Sequence, residues 1–194
     1  MNKLLLLFAF VFALGCSRTP SWHYTVFIDP KLPDQYVSAT YAAFDAWVSV
    51  LDGQLEIDYS AFSSCQGNDH EICVHASTEA FIEKQNDGHS ELGYTEWSDW
   101  SDHADMYIPI DTNAAADPTL LTETISHEAG HSLHAEHLTE GNLMCSNSGC
   151  THTNIPTCSD AAQIEYLRGG YNRWGVWSGN KSCPNGGTFT LSNK

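Results

Sequence analysis

The sequence contains few basic residues. It has 8 Lys plus Arg against 24 Asp plus Glu, which gives a formal net charge of −16 at pH 7 over 194 residues. A protein that binds DNA or RNA needs a cationic surface that neutralises phosphates, and we expect no nucleic-acid partner here. Hydrophobic residues make up 42% of the chain, which is enough for the core of one globular domain. The sequence shows no internal repeat, and we expect a monomer.

The sequence also lacks an apolar run of the roughly 20 residues that a membrane-spanning helix needs. Its longest run extends from Leu4 to Leu14, directly after Lys3, and is followed by Gly15 and Cys16. A short apolar run between a basic residue and small residues is typical of a signal peptide. We therefore predict that residues 1–15 are a signal peptide and that the protein is exported.

Residues 13–16, Ala-Leu-Gly-Cys, resemble a bacterial lipobox, whose cysteine becomes the lipidated first residue of the mature protein. Ala13 stands where a lipobox usually has leucine, and an ordinary cleavage site is the alternative. The resemblance implies that Cys16 is lipidated and that the protein meets a membrane only through this lipid, at the outer membrane or cell surface. Without the lipid the protein would be secreted. The expected organisation is a lipidated tether over residues 16–21, a folded domain over 22–175 and a Gly/Asn/Ser-rich tail over 176–194.

Six cysteines remain when Cys16 is set aside, an even number that favours disulfides in an exported protein. They are Cys65, Cys73, Cys145, Cys150, Cys158 and Cys183. The sequence does not determine their pairing, although a bond between Cys65 and Cys73 across a polar loop is the simplest local choice. The alternative is a structural zinc cluster formed by Cys145, Cys150, His152 and Cys158.

Apolar periodicity predicts that the folded domain begins with a strand, a helix and a second strand. Residues 24–29 and 55–59 alternate between apolar and polar types, with Leu55, Ile57 and Tyr59 expected to face inward. Between them, residues 34–51 carry apolar side chains at steps of three and four, which is typical of an amphipathic helix. The predicted buried face of this helix comprises Val37, Tyr41, Phe44, Val48 and Leu51.

Two further strands and two further helices follow in the prediction. The strands cover residues 72–76 and 104–111, and Pro109 indicates that the second strand lies at a sheet edge or ends there. Asp117 followed by Pro118 is typical of a helix start, and that helix is expected to continue to Leu133. A final short helix is predicted over residues 159–167.

The predicted long helix contains His127-Glu128-Ala129-Gly130-His131. Two imidazoles one helical turn apart can reach the same zinc ion at about 2.0–2.1 Å, with the intervening glutamate beside the reacting water. His137 can supply a third ligand if the chain turns back after Leu133. Met144 follows within a turn that Gly141 introduces.

These residues resemble the signature of the metzincin clan of zinc endopeptidases, His-Glu-x-x-His-x-x-Gly-x-x-His followed by a Met-turn. The match covers His127, Glu128, His131, His137 and Met144, and the order of elements is similar to the matrix-metalloproteinase-like branch. The resemblance implies an α+β domain over residues 22–175. Such a domain has a twisted, mostly parallel sheet with an antiparallel edge strand, an active-site helix, a Met-turn and a C-terminal helix.

The sequence departs from the family pattern at His134, where the family has glycine. The turn there requires a left-handed backbone, which costs a non-glycine residue about 1 kcal/mol and which histidine adopts more often than most residues. One alternative makes His134 the third ligand, although on an unbroken helix it would lie about 10 Å along the axis from His127. Another alternative, also with an unbroken helix, uses Glu165.

The resemblance implies hydrolysis of peptide bonds in a protein or peptide substrate. Zinc held by the three histidines would activate water, Glu128 would act as general base, and Met144 would form an apolar floor below the imidazoles. The alternative is a non-catalytic, surface-anchored binding lipoprotein that keeps a structural zinc site. We favour the enzyme because binding alone gives Glu128 no role.

Two weaker metal sites accompany this prediction. Asp99, Asp102 and Asp105 recur at three-residue spacing and could bind calcium, which prefers oxygen ligands. The family also holds a structural zinc before the active-site helix. The histidines available for it are His70, His75, His89 and His103, although their order does not reproduce the family motif.

Overall fold

The computed structural model describes residues 22–86, 91–97, 101–112, 116–138, 142–145, 153–168, 180–182 and 188–190. The predicted signal peptide, the tether with Cys16, and most of the predicted tail therefore lie outside the described residues. Asp99, His89, Cys150, His152 and Cys183 also lie outside them, and of Glu165 only the backbone is described.

A five-stranded sheet forms the centre of the fold. Its strands are β1 (Trp22–Ile28), β2 (Leu55–Ala61), β3 (Glu71–Ser77), β4 (Tyr94–Trp97) and β5 (Ala104–Pro109). The spatial order is β2-β1-β3-β5-β4; all neighbours are parallel except β4, which pairs antiparallel to β5 at one edge. The expected mostly parallel sheet with an antiparallel edge strand is confirmed. Two short strands, β6 (Asn180–Ser182) and β7 (Thr188–Thr190), form a separate hairpin sheet.

Four helices accompany the sheet among the described residues: α1 (Asp34–Val50), α2 (Glu79–Gln85), α3 (Pro118–Ser132) and α4 (Cys158–Arg168). α1 and α3 pack against each other, and the indole N–H of Trp47 donates to the carbonyl of Ser126 at 2.9 Å. The side chain of Asp117 accepts the backbone N–H groups of Thr119 and Leu120, so the predicted start of α3 is confirmed. None of the described helices is both long and apolar enough to cross a membrane.

The buried face of α1 differs from the predicted one. Phe44 and Leu51 are buried as expected, but Tyr41 is 41% exposed. The other buried residues of the helix are Tyr36, Ala39, Thr40, Ala43 and Trp47. The reason is that α1 packs against both the sheet and α3, and the small side chains of Ala39 and Ala43 permit close approach.

One prediction about the strands is wrong, and another is decided between its two alternatives. Tyr59 is 36% exposed rather than buried, because β2 is an edge strand, and its ring packs against Tyr41 instead. β5 does not lie at the edge, since β4 covers its outer side. Pro109 instead marks the end of β5. β4 and α2 were not predicted, because their residues are too polar and too few to show clear periodicity.

The disulfide between Cys65 and Cys73 is confirmed, and it links the loop after β2 to β3. Cys145 and Cys158 are also disulfide-bonded. Since an oxidised cysteine offers no thiolate, the alternative zinc cluster that includes these two residues is wrong.

Candidate metal centre

Three histidines converge at the C-terminal end of α3. His127 and His131 lie on one face of the helix, and His137 reaches them from the segment that follows. The Nε2 atoms are 3.1 Å apart for His127 and His131, 3.1 Å for His131 and His137, and 3.3 Å for His127 and His137. Tetrahedral zinc with bonds of about 2.0–2.1 Å separates its ligand nitrogens by about 3.3 Å. This group could therefore hold a metal ion, and its donor set and spacing fit zinc.

Hydrogen bonds fix the orientation of two of these imidazoles. The Nδ1–H of His127 donates to the carbonyl of Leu143 at 2.9 Å, and the Nδ1–H of His131 donates to the carbonyl of Ala135 at 2.8 Å. Because a carbonyl only accepts, each Nε2 is left with a lone pair directed at the centre. Burial, together with the imidazole of His127, lowers the pKa of His131 to about 3, which keeps this ring neutral.

A left-handed turn at His134 brings His137 to the centre. His134 has φ of 67°, as expected from its place in the motif. Its N–H donates to the carbonyl of His131 at 2.8 Å, and the N–H of Ala135 donates to the carbonyl of Gly130 at 2.9 Å. These two bonds form a Schellman motif, which ends α3 and reverses the chain. The side chain of His134 faces Asp102, with 3.5 Å between Nε2 and Oδ1.

Glu128 lies beside the three histidines and is buried. Thr95 of β4 donates a hydrogen bond from Oγ1 to Oε2 of Glu128 at 2.7 Å. Burial raises the pKa of Glu128 to about 7, although the Thr95 hydrogen bond opposes this shift. The carboxylate, His127, His131 and His137 line a cleft of about 810 Å³, and β4 and the segment before it form one of its walls.

Met144 is fully buried in a turn that follows the three histidines in the sequence. A Cβ on Gly130 would collide with Sδ of Met144 and lie 2.6 Å from the ring of Trp47. Glycine in the last turn of α3 therefore makes room for the methionine. The family's Met-turn remains a prediction for this residue.

Asp160 of α4 holds this turn in place. Its carboxylate is fully buried and accepts the backbone N–H groups of Leu143 at 3.2 Å and Met144 at 3.1 Å. It also accepts the hydroxyl and N–H of Thr157. The carbonyl of Leu143 accepts the hydrogen bond from Nδ1 of His127. By holding the backbone of Leu143, Asp160 therefore supports the metal centre. This role was not predicted, since its only local signal in the sequence is an acidic residue in the first turn of α4.

Replacing Asp160 with alanine is expected to destabilise the protein by about 3 kcal/mol, since the change leaves several buried N–H groups without an acceptor. Thermal unfolding of the metal-free protein measures this effect. Asp117→Ala is a suitable control, because it removes an exposed helix cap and should cost only about 1 kcal/mol. If both variants lost the same small amount of stability, Asp160 would not hold the turn.

Two of the three acidic residues predicted to bind calcium, Asp102 and Asp105, face histidines. The carboxylate of Asp105 lies 2.7 Å from Nε2 of His75 and 2.9 Å from Nε2 of His103. Burial alone would raise the pKa of Asp105, but these hydrogen bonds outweigh it and the pKa lies below its ordinary value. Asp102 lies near His70 as well as His134. The calcium site remains a prediction. Cys73 groups with His103 and Asp105, but its sulfur is in a disulfide.

Comparisons with known proteins show similarity to solved structures, at the level of the fold alone. No protein-family model matches the sequence, and no curated protein matches it. Among solved structures, the fold is similar to the crystal structure of metalloproteinase-II from Bacteroides fragilis, with a TM-score of 0.41 and 13% sequence identity. The similarity covers 74% of this chain and 51% of that chain, so this chain spans about half the length of that protein.

Proposed function

We propose that the protein is an exported zinc-dependent endopeptidase of the metzincin type, which hydrolyses peptide bonds in protein or peptide substrates. The observation that carries this proposal is the convergence of three histidine Nε2 atoms within 3.3 Å of one another, next to a buried carboxylate in an open cleft. A site that only bound metal would have no use for the buried acid. The order of His127, Glu128, His131, His137 and Met144 in the sequence supports the same function.

Each residue of the site has a separate role in the proposed hydrolysis. His127, His131 and His137 would hold zinc, which when bound polarises the scissile carbonyl and lowers the pKa of water. Glu128 accepts a proton from the attacking water at its carboxylate and then delivers it to the leaving amine. A carboxyl whose pKa is raised toward 7 suits both tasks, because it can accept and release a proton near neutral pH.

Other residues shape the environment of the reaction. Met144 would provide the apolar floor below the imidazoles, as in the family. An extended substrate would lie along β4, the last strand of the described sheet on the side of the cleft.

Export and membrane attachment are part of the proposal. Residues 1–15 would be removed as a signal peptide, and a lipid on Cys16 would be the only membrane contact. The disulfide between Cys65 and Cys73 supports export, because such bonds persist in oxidising compartments.

The proposal can be tested with the mature chain and a broad library of quenched fluorescent peptides. We expect cleavage in the presence of one equivalent of zinc, loss of cleavage with a chelator, and recovery when zinc is added back. Metal content is measured in parallel. A protein that binds one zinc tightly and cleaves no peptide in the library would be a binding lipoprotein instead of an enzyme.

A further inference from the structure

The edge strand β4 approaches the catalytic helix unusually closely at Glu128. A Cβ placed on Gly93, the residue before β4, would lie 2.5 Å from Cγ of Glu128 and 3.0 Å from Oε1. Real side chains do not approach at 2.5 Å, so only glycine fits there without displacing the glutamate. The backbone before β4 therefore forms one wall against the side chain of Glu128.

Thr95 provides a polar contact on the same glutamate. Its side chain is buried, and its Oγ1 lies 2.7 Å from Oε2 of Glu128 and 3.2 Å from the Glu128 carbonyl. A hydroxyl has only one proton to donate. The shorter distance, to Oε2, indicates that the Thr95 hydroxyl donates to the carboxylate rather than to the carbonyl. A hydrogen bond to a charged carboxylate is also stronger than one to a neutral carbonyl. Because threonine is branched at Cβ, few rotamers are open to this hydroxyl, and its direction is well defined.

We propose that Thr95 is a positioning residue for the general base, holding Oε2 of Glu128 so that Oε1 is the oxygen that exchanges the proton with water and the leaving amine. This inference rests on the proposed peptidase function. Thr95 lies on a different element from the three histidines, none of which it hydrogen-bonds in the described structure. Its loss should therefore affect the chemical step more than metal or substrate binding.

The test compares two substitutions that separate the hydroxyl from the rest of the side chain. Thr95→Val keeps the shape and removes the hydroxyl, while Thr95→Ser keeps the hydroxyl and removes a methyl group. We expect Thr95→Val to lower kcat by about 10–100-fold, since a small misplacement of a catalytic group has a cost of this size. KM should change less than about twofold and one zinc should remain bound. Thr95→Ser should restore kcat to within about threefold of the wild type.

Thr40→Val provides the matched control. Thr40 is also a buried threonine, but its hydroxyl donates to the carbonyl of Tyr36 within α1, away from the site. This variant should lose some stability and keep its kcat. If Thr95→Val does not fold, Thr95→Ala removes the same hydroxyl with less demand on packing and carries the test.

Several outcomes would overturn the inference. An unchanged kcat in Thr95→Val would show that the hydroxyl does not position Glu128. Equal losses of kcat in Thr95→Val and Thr95→Ser would assign the effect to the packing of the side chain rather than to its hydroxyl, and a change in KM alone would indicate a substrate contact. A wild type that binds zinc and cleaves nothing would refute the proposed function and this inference together, whereas an active wild type beside an equally active Thr95→Val would refute only the inference.

Discussion

Replacing Glu128 with glutamine is expected to lower the rate of peptide cleavage by about 10²–10⁴-fold, the usual contribution of a general base. Glutamine keeps the size of the side chain and can still accept the hydrogen bond from Thr95, but it cannot take a proton from water. The three histidines are unchanged, so zinc should remain bound at one equivalent. Cleavage assays and metal analysis of the same preparation measure both properties.

The same substitution should change how stability depends on pH in the metal-free protein. Burial raises the pKa of Glu128 from 4.5 to about 7. Stability due to the protonated form is therefore present below pH 4.5 and is lost as the pH rises toward 7, because the folded state must then bury a charge. Glu128→Gln avoids this cost and should be more stable than the wild type at pH 8, on the order of 1–3 kcal/mol.

The control for Glu128 is Glu56, which is exposed and lies on β2, away from the cleft. Glu56→Gln should leave the rate of cleavage unchanged. If Glu128→Gln cleaved peptides at the rate of the wild type, the assignment of the general base would be wrong.

Replacing His137 with alanine is expected to weaken zinc binding by about 100-fold or more, since it removes one of three protein ligands. Competition with a chromophoric chelator measures the dissociation constant. Cleavage should fall in proportion to the zinc that is lost. Excess zinc should recover the activity only partly, because the remaining two histidines do not define the geometry of the site.

His134→Gly is the informative comparison for His137→Ala. Glycine adopts the left-handed backbone at φ of 67° without strain. The side chain of His134 faces Asp102 and the ring of Trp97, so its removal also loses these contacts. We expect unchanged zinc affinity and a net change in the free energy of unfolding within about 1 kcal/mol. Loss of zinc in His134→Gly, with retention in His137→Ala, would reverse the ligand assignment.

Local patterns in the sequence predicted the features that depend on neighbouring residues. The spacing of His127, Glu128 and His131 places all three on α3 because a helix repeats every 3.6 residues. The cap at Asp117 also follows from residue types within one turn. The left-handed turn at His134 was expected from the resemblance to the family pattern rather than from the local residue types. The disulfide between Cys65 and Cys73 closes a short loop and was predicted for the same reason.

Contacts between distant segments could not be predicted in this way. Thr95 and Glu128 are 33 residues apart, and Asp160 and Met144 are 16 residues apart. Neither pair has a periodicity that links its members. The edge position of β4 also depends on its antiparallel pairing with β5. The composition of a strand of only four residues does not predict this pairing.

The sequence by itself therefore determined the composition of the candidate metal centre, since the ligands and the acid occur within one helix and the turn that follows it. Only the tertiary structure decided how that centre is held. Thr95 hydrogen-bonds the acid, Asp160 accepts the backbone N–H groups of the turn at Met144, and Gly130 makes room for the methionine side chain. These roles depend on atoms brought within a few ångströms by packing, and packing distances are a property of the folded chain rather than of any local pattern.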